Sequence, residues 1–389
     1  MFKPALKCES LNKVLDGKKI SQYDVKEIFK NSLLDQRELF DAATYLRNQH
    51  KHKFITFSKK VFFNLINLCR DTCSYCTYKA EPSDPKLSLM KKDNVIQLAK
   101  LAKKYRCVEA LFVTGEKPEE KYSYAKRWLK NNGFKNTAEY LIHMSEIVLN
   151  EGLFPHTNAG NLNISDMKEL QKTNPSIGLM LENTSSRLLQ SGMPHHYAPS
   201  KRFENRLQTL ENAGKLKIPI TTGLLIGIGE NYEEIINSIY TIKKIHENFG
   251  NIQEIILQNF HPKLKTQMES EKSPNEIYFK IIVALCRIIM PNANIQIPPN
   301  LSSSSYQSFL CVGINDWGGI SPLTPDYVNP ECPWPKINSI KIQTRKLGYK
   351  LEARFPVYPE FIKYINTYIK DKMEPIMNND LFVKYEYWS

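Results

Sequence analysis

The chain has 389 residues, 42% hydrophobic and 24% charged, a balance that suits a globular protein and excludes collagen-like and disorder-dominated classes. Its 53 basic and 40 acidic residues give a formal charge of +13, but they are scattered, without a basic block or RNP-like aromatic signature, so a solvated basic surface is expected and nucleic-acid binding is not. No run reaches the ~18 uncharged apolar residues of a membrane span, since Ile281–Met290 is short and carries Arg287, and the N-terminus lacks a signal-peptide core.

The chain is therefore read as cytoplasmic, where clustered cysteines point to metal or redox chemistry rather than disulfides. In chain order, Ser21–Leu34 and Asp35–Gln49 read as amphipathic helices, with Val25, Ile28, Phe29 and Leu33 along one side of the first. From Val61 onward, short apolar runs alternate with helical stretches. The candidate strands are Val61–Asn67, Glu109–Gly115, Phe154–Gly160, Ser176–Glu182, Ile218–Gly227, Glu254–Phe260, Asn294–Asn300 and Phe309–Asp316. Alternation of this kind predicts an α/β fold, a (β/α)8 barrel.

Helix punctuation supports the pattern. Asn231 with Glu234 forms a capping-box start and Gly250 a stop, while Ser273, Pro274 and Glu276 open a helix that Pro291 ends. The stretch from Lys117 to Phe134 reads as a long loop on the C-terminal face of the barrel, the active-site side. Beyond Trp317 a Gly- and Pro-rich loop leads into a helical tail from Ile337 and an extended segment near Phe355–Pro359. The expected organisation is an N-terminal helical extension over 1–60, the barrel over 61–320 and a C-terminal loop and tail packed on it over 321–389.

The stretch that carries chemistry is INLCRDTCSYCTYK, Ile66–Lys79, with Cys69, Cys73 and Cys76 directly after the first strand. Zinc normally takes four ligands, which would require a distant fourth from Cys107, His52 or Cys8. An iron-sulfur cluster explains the odd count better: three thiolates on four irons leave one iron open, where an electron-transfer cluster would use four cysteines. An open iron can chelate the amino and carboxylate groups of S-adenosylmethionine, whose carbon-sulfur bond then breaks to a 5'-deoxyadenosyl radical.

With Tyr75 before its last cysteine, this Cys-x3-Cys-x2-Cys loop resembles that of the radical S-adenosylmethionine superfamily. The resemblance implies a TIM-type radical SAM barrel holding a 4Fe-4S cluster and S-adenosylmethionine, with Tyr75 near the cofactor. Thr114-Gly115-Glu116 is similar to the superfamily's Gly-Gly-Glu segment, which implies contact of Gly115 and Glu116 with the cofactor's amino group. Glu182 is implied at its ribose or methionine part. GLLIGIGE, Gly223–Glu230, resembles a strand-five motif whose glycines, here Gly223 and Gly227, would let backbone approach the adenosyl group; the alternative is barrel-packing glycines.

Longer strings, among them NLCRDTCSYCTY, TGEKPEE, QNFHPK and INDWGGISPLTPDYVNPECPWP, resemble one branch, the CofG family of 7,8-didemethyl-8-hydroxy-5-deazariboflavin (FO) synthase subunits. This resemblance implies a lyase of coenzyme F-420 biosynthesis, in which the radical takes hydrogen from 5-amino-5-(4-hydroxybenzyl)-6-(D-ribitylimino)-5,6-dihydrouracil, followed by cyclisation and ammonia loss. Implied partners are this small-molecule substrate, supplied by the second subunit CofH, and an electron donor such as ferredoxin or flavodoxin. The tyrosine-side CofH itself, a menaquinone-pathway relative, and a non-enzymatic zinc or nucleic-acid binding module are the competing readings. Asp316 and His156 are expected at strand ends facing the site, to hold substrate or move a proton, with a structural hydrogen bond as the alternative. Trp317, Gly318, Gly319 and Ser321 are the expected substrate contacts. Cys286 and Cys311 are expected to be packing residues and Cys332 a structural one.

Overall fold

The computed structural model describes residues 3–389. Nine strands form one parallel sheet: β1 Phe54–Ile66, β2 Glu109–Thr114, β3 Phe154–Asn158, β4 Ser176–Gly178, β5 Ile220–Ile226, β6 Ile252–Asn259, β7 Ile295–Gln296, β8 Asp316–Ile320 and β9 Lys350–Ala353. Their order is β2-β3-β4-β5-β6-β7-β8-β1-β9, and β1 also pairs with β2. That pairing closes β1–β8 into the (β/α)8 barrel. β1 can serve three neighbours because it is long: Thr56 lies opposite Asp316 of β8, Phe54 opposite Lys350 of β9, and Lys60 opposite Glu109 of β2.

The helices begin and end where local chemistry directs them. Ser21 caps Gln22–Leu34 in a capping box with Asp24 and buries Val25, Ile28 and Phe29, but Leu33 is exposed, and Ser32 takes the inward position. Asn231 and Glu234 form the capping box of Tyr232–Phe249, which Gly250 closes at φ 67°. Replacing Asn231 with Ala is expected to cost about 1 kcal/mol, measurable as an earlier unfolding midpoint in urea. The helix Glu276–Ile289 is capped by Asn275, whose side chain accepts from Ile277 N and Tyr278 N, so the cap lies two residues past the expected Ser273. The expected loop after β2 is itself helical over Pro118–Glu120 and Ser123–Asn131.

One strand assignment shifts, and it matters for the site. Tyr306–Val312 is a 3-10 helix ended by Gly313 at φ 95°. It packs outside the barrel on the helix Arg37–Lys51, where Thr44 Oγ1 donates to the Cys311 carbonyl (2.8 Å) and Arg47 to that of Leu310 (3.0 Å). The eighth strand is therefore Asp316–Ile320, which it enters at Asp316. Cys311 is exposed rather than packed in a strand, whereas Cys286 is buried as expected.

After β9 the tail crosses the N-terminal end of the barrel. Arg354 enters it, with Nε 2.7 Å from Asp316 Oδ2 and Nη2 2.8 Å from Glu254 Oε1. Tyr358 OH also donates to Glu254 (2.7 Å) and Gln253 Nε2 to the Pro356 carbonyl (3.1 Å). A buried charge is tolerable only with such partners. The opposite, C-terminal end is left open for a site, as in barrels generally. Among the described residues no helix is long and apolar enough to cross a membrane.

Candidate active site

The loop after β1 folds back on its neighbours through its backbone. Arg70 N donates to Glu116 O (2.8 Å), Thr72 N to Tyr197 O (2.8 Å), Ser74 N to Pro194 O (2.9 Å) and Cys76 N to Cys73 O (3.1 Å). The two charged residues between the first two cysteines are clamps: Arg70 Nη2 donates to Ser200 Oγ (2.6 Å), and Asp71 Oδ1 accepts from Ser200 N (3.2 Å). The segment Lys263–Met268 braces the other side, with Met268 N donating to Ser74 O (3.2 Å) and Ser74 Oγ to Gln267 (2.6 Å). Gly115 permits this closeness, since a Cβ there would sit 1.9 Å from Leu68 O and 2.7 Å from Cys69 Cα.

Cys69, Cys73 and Cys76 are half-buried free thiols that line one cavity of ≈340 Å³ at the C-terminal end of the barrel. Tyr75, Gly115, Glu116 and Glu182 line the same cavity. The Tyr75 hydroxyl is 3.0 Å from His195 Nε2, and burial drives the His195 pKa down to about 2, so that ring is neutral. Both Glu116 oxygens accept from Asn161 N at 3.1 Å. Gly160, at φ 73°, makes room for them, because its Cβ would lie 1.8 Å from Glu116 Oε2. Glu182, itself at φ 65°, pairs with Lys201 Nζ at 2.6 Å.

Other expected site residues lie elsewhere. A Cβ on Gly223 would meet Ile256 O at 2.1 Å and one on Gly227 would meet Pro274 Cδ at 2.8 Å, which fits the packing alternative, and neither is among the residues that line the cavity. Glu230 ties their turn by accepting from Gly227 N (2.6 Å) and Ile228 N (2.8 Å). Asp316 begins β8 instead of ending a strand and is ion-paired to Arg354 at the closed end of the barrel. His156 is also interior, with Nδ1 2.6 Å from Ser176 Oγ; burial lowers its pKa to about 4. Neither is among the residues that line the cavity, and each makes the structural contact that was its alternative reading, Asp316 with Arg354 and His156 with Ser176. Ser321 is spent on its own turn, accepting from Thr324 N (2.9 Å) and Leu323 N (3.3 Å). Trp317 and Gly319 do line the cavity, but the indole N–H of Trp317 is committed to Thr344 Oγ1 (3.4 Å). Gly318 acts through Gln296, whose amide its Cβ would overlap at 2.2 Å.

The structure adds residues that no local sequence signal marks. Lys201 and Arg206 line the cavity beside Glu182 and Glu116. Arg206 donates through Nη1 to Met180 O, whereas its buried Nε has no acceptor among the described residues. A buried guanidinium donor without a partner fits an incoming carboxylate.

The thiols fit a metal cluster on their chemistry. Burial pushes Cys69 up to about 11 and raises Cys73, so these groups become thiolates only against a strongly cationic partner. Among the described residues no three His, Cys, Asp or Glu side chains are placed to hold one metal ion; the three thiols are instead spread around the wall of a shared cavity.

Barrel and loop together define a class, the radical S-adenosylmethionine enzymes, and the family described as the Radical SAM superfamily matches residues 63–240. Membership implies a 4Fe-4S cluster and S-adenosylmethionine. Among solved structures, methylornithine synthase (PylB) matches the fold with a TM-score of 0.70 at 17% identity, over 88% of this chain and 97% of that one. Sequence relatives narrow the class. The 7,8-didemethyl-8-hydroxy-5-deazariboflavin synthase of Methanopyrus kandleri is 40% identical over 85% of this chain and 100% of its own length. The enzyme of the same name from Methanocaldococcus jannaschii is 45% identical over 86% and 92%. The chain belongs to the 7,8-didemethyl-8-hydroxy-5-deazariboflavin synthase family.

Proposed function

We propose that this chain is the CofG-type subunit, the lyase that converts 5-amino-5-(4-hydroxybenzyl)-6-(D-ribitylimino)-5,6-dihydrouracil into the deazaflavin FO. The observation that carries this reading is one continuous cavity with two differently furnished ends. One end holds the three thiols, Glu116, Glu182, Lys201 and Arg206; the other is walled by Phe62 and Trp334, with Gln258 and Gln296. The first suits a charged cofactor and the second a planar, amide-rich substrate.

In this reading Cys69, Cys73 and Cys76 hold the cluster, which with bound S-adenosylmethionine supplies a 5'-deoxyadenosyl radical. Arg206 Nε and Lys201 receive the cofactor's carboxylate, and Glu116 and Glu182 balance its amino and ribose groups, with Tyr75 and Gly115 shaping the wall. The substrate's hydroxybenzyl group gives up hydrogen, the ring closes and ammonia leaves. The two electrons that aromatisation releases would be taken up by S-adenosylmethionine, as 5'-deoxyadenosine and methionine, once cluster and cofactor were held by these residues. The site residues need to exclude water from the radical and hold the two reactants in register. CofH supplies the substrate, and a ferredoxin or flavodoxin supplies the first electron.

Lys201→Met, which leaves Glu182 without its cation, is expected to raise the S-adenosylmethionine concentration for half-maximal cleavage about ten-fold, the size of one charge-assisted hydrogen bond. A substrate-feeding experiment separates the two subunit readings. Anaerobically reconstituted protein given the hydroxybenzyl adduct should form fluorescent deazaflavin. Consumption of tyrosine plus ribitylaminouracil, with the adduct left untouched, would assign the chain to the tyrosine side instead.

A further inference from the structure

Lys60, on β1, is half-buried and lines the cavity. Its chain lies across Gly319, where a Cβ would come within 2.0 Å of Lys60 Cδ and 2.3 Å of Nζ. The ammonium sits 4.3 Å from the Phe62 ring centroid and 5.8 Å from that of Trp334. Those two rings stack at 5.8 Å with 27° between their planes. No hydrogen bond or ion pair engages Nζ among the described residues. Gln296, seated against Gly318, and Gln258 on β6 line the same wall, and neither side-chain amide has a protein hydrogen bond among the described residues.

Three polar side chains thus line the cavity without a protein hydrogen bond among the described residues, and are available to whatever the cavity holds. A phosphate would call for several free cations, but the other nearby lysine, Lys263, already donates to Val328 O. One cation, two amides and an aromatic wall suit a flat heterocycle with carbonyl oxygens and an N–H. The paired glycines of the Asp316–Ile320 strand then have a specific purpose: Gly319 clears the path of Lys60 and Gly318 that of Gln296.

We propose that Lys60 is a substrate-binding residue, donating to a carbonyl oxygen on the pyrimidinedione edge of the deazaflavin precursor while Gln296 and Gln258 pair with the rest of that edge. This inference rests on the deazaflavin reading of the site. The charges facing Lys60 are Glu109 of β2, Glu254 of β6, Asp326 of the C-terminal loop and Arg354 of the tail, with neutral His156 of β3 nearby. Burial lowers the Lys60 pKa, so binding weakens as the ammonium is lost at high pH.

The test is fluorescence titration of the reconstituted enzyme with FO, across pH, for wild type, Lys60→Met, Lys60→Arg and Gln296→Leu. Iron content and circular dichroism report whether each variant is loaded and folded. Lys60→Met should bind about 10- to 100-fold more weakly, the range of a hydrogen bond to a charged group, and should lose the alkaline fall in affinity that wild type shows beyond ionisation of FO itself. Lys60→Arg should recover part of the affinity. Gln296→Leu should weaken binding while keeping the alkaline fall, and it carries the test if the Lys60 variants do not fold. Equal affinity and equal pH dependence in wild type and Lys60→Met would overturn this inference alone. Failure of wild type to bind FO at any pH would overturn the deazaflavin reading with it.

Discussion

Alanine at any one of Cys69, Cys73 or Cys76 is expected to abolish 5'-deoxyadenosine formation and to leave the purified protein short of iron, while far-ultraviolet circular dichroism stays close to wild type. The three thiols come from one loop and line one cavity, and if they hold the cluster as proposed, two of them would not keep it in register. The effect should exceed the ~10–100-fold typical of outer-shell substitutions around a metal. The fold should survive because the loop is also pinned by the contacts of Arg70 and Asp71 with Ser200 and by its backbone bonds to Tyr197 and Pro194. By contrast, alanine at Cys286, Cys311 or Cys332 should leave the iron content unchanged, since none of them lines the cavity. Iron analysis of this cysteine series separates ligands from bystanders without relying on turnover.

The second large effect concerns the closed end of the barrel. Arg354→Met should destabilise the protein by about 3–5 kcal/mol, the range for breaking a buried ion pair from one side, because Asp316 and Glu254 would be left buried without their shared cation. Their hydroxyl donors, Thr56 to Asp316 and Tyr358 and Thr221 to Glu254, would remain. Burial already raises the Glu254 pKa, and Arg354 opposes that rise; removing the guanidinium raises it further. A carboxyl whose folded pKa exceeds its unfolded value of ~4.3 binds more protons when folded, so its penalty grows as pH rises. The loss measured by urea unfolding should therefore be larger near pH 7 than near pH 5. The double variant Arg354→Met with Glu254→Gln should be more stable than Arg354→Met alone.

What the sequence reveals depends on whether the cause is local. The capping box at Asn231 and the stop at Gly250 are each written within a few residues and read correctly along the chain, and the cysteine loop is likewise visible as one short segment. The short apolar run at Tyr306–Val312 has no such signature. Strand and 3-10 helix are equally compatible with it, and its true place is set by packing on Arg37–Lys51. That misreading carried Asp316 from the closed end of the barrel to the open one. Gly223 and Gly227 sit in a motif-like string, yet the nearness of Ile256 and Pro274 determines what they do.

Lys60, Lys201, Arg206 and Arg354 were silent for the same reason in each case: their meaning comes from partners distant in sequence. A lysine in a strand or an arginine in a tail is usually a surface residue. Only barrel closure places Lys60 over Gly319 and brings Arg354 to Asp316. Gly318 and Gly319 read as substrate contacts along the chain, whereas the structure packs them against two side chains on neighbouring strands, Gln296 and Lys60.

The measurement that bears most directly on the central claim follows one hydrogen. The hydroxybenzyl adduct, deuterated at its benzylic carbon, would be incubated with the anaerobically reconstituted enzyme, S-adenosylmethionine and a reductant, and the nucleoside and the deazaflavin analysed together by mass spectrometry and fluorescence. A radical lyase acting on this adduct predicts deuterium in 5'-deoxyadenosine alongside fluorescent FO. Unlabelled 5'-deoxyadenosine with the adduct left intact would contradict it.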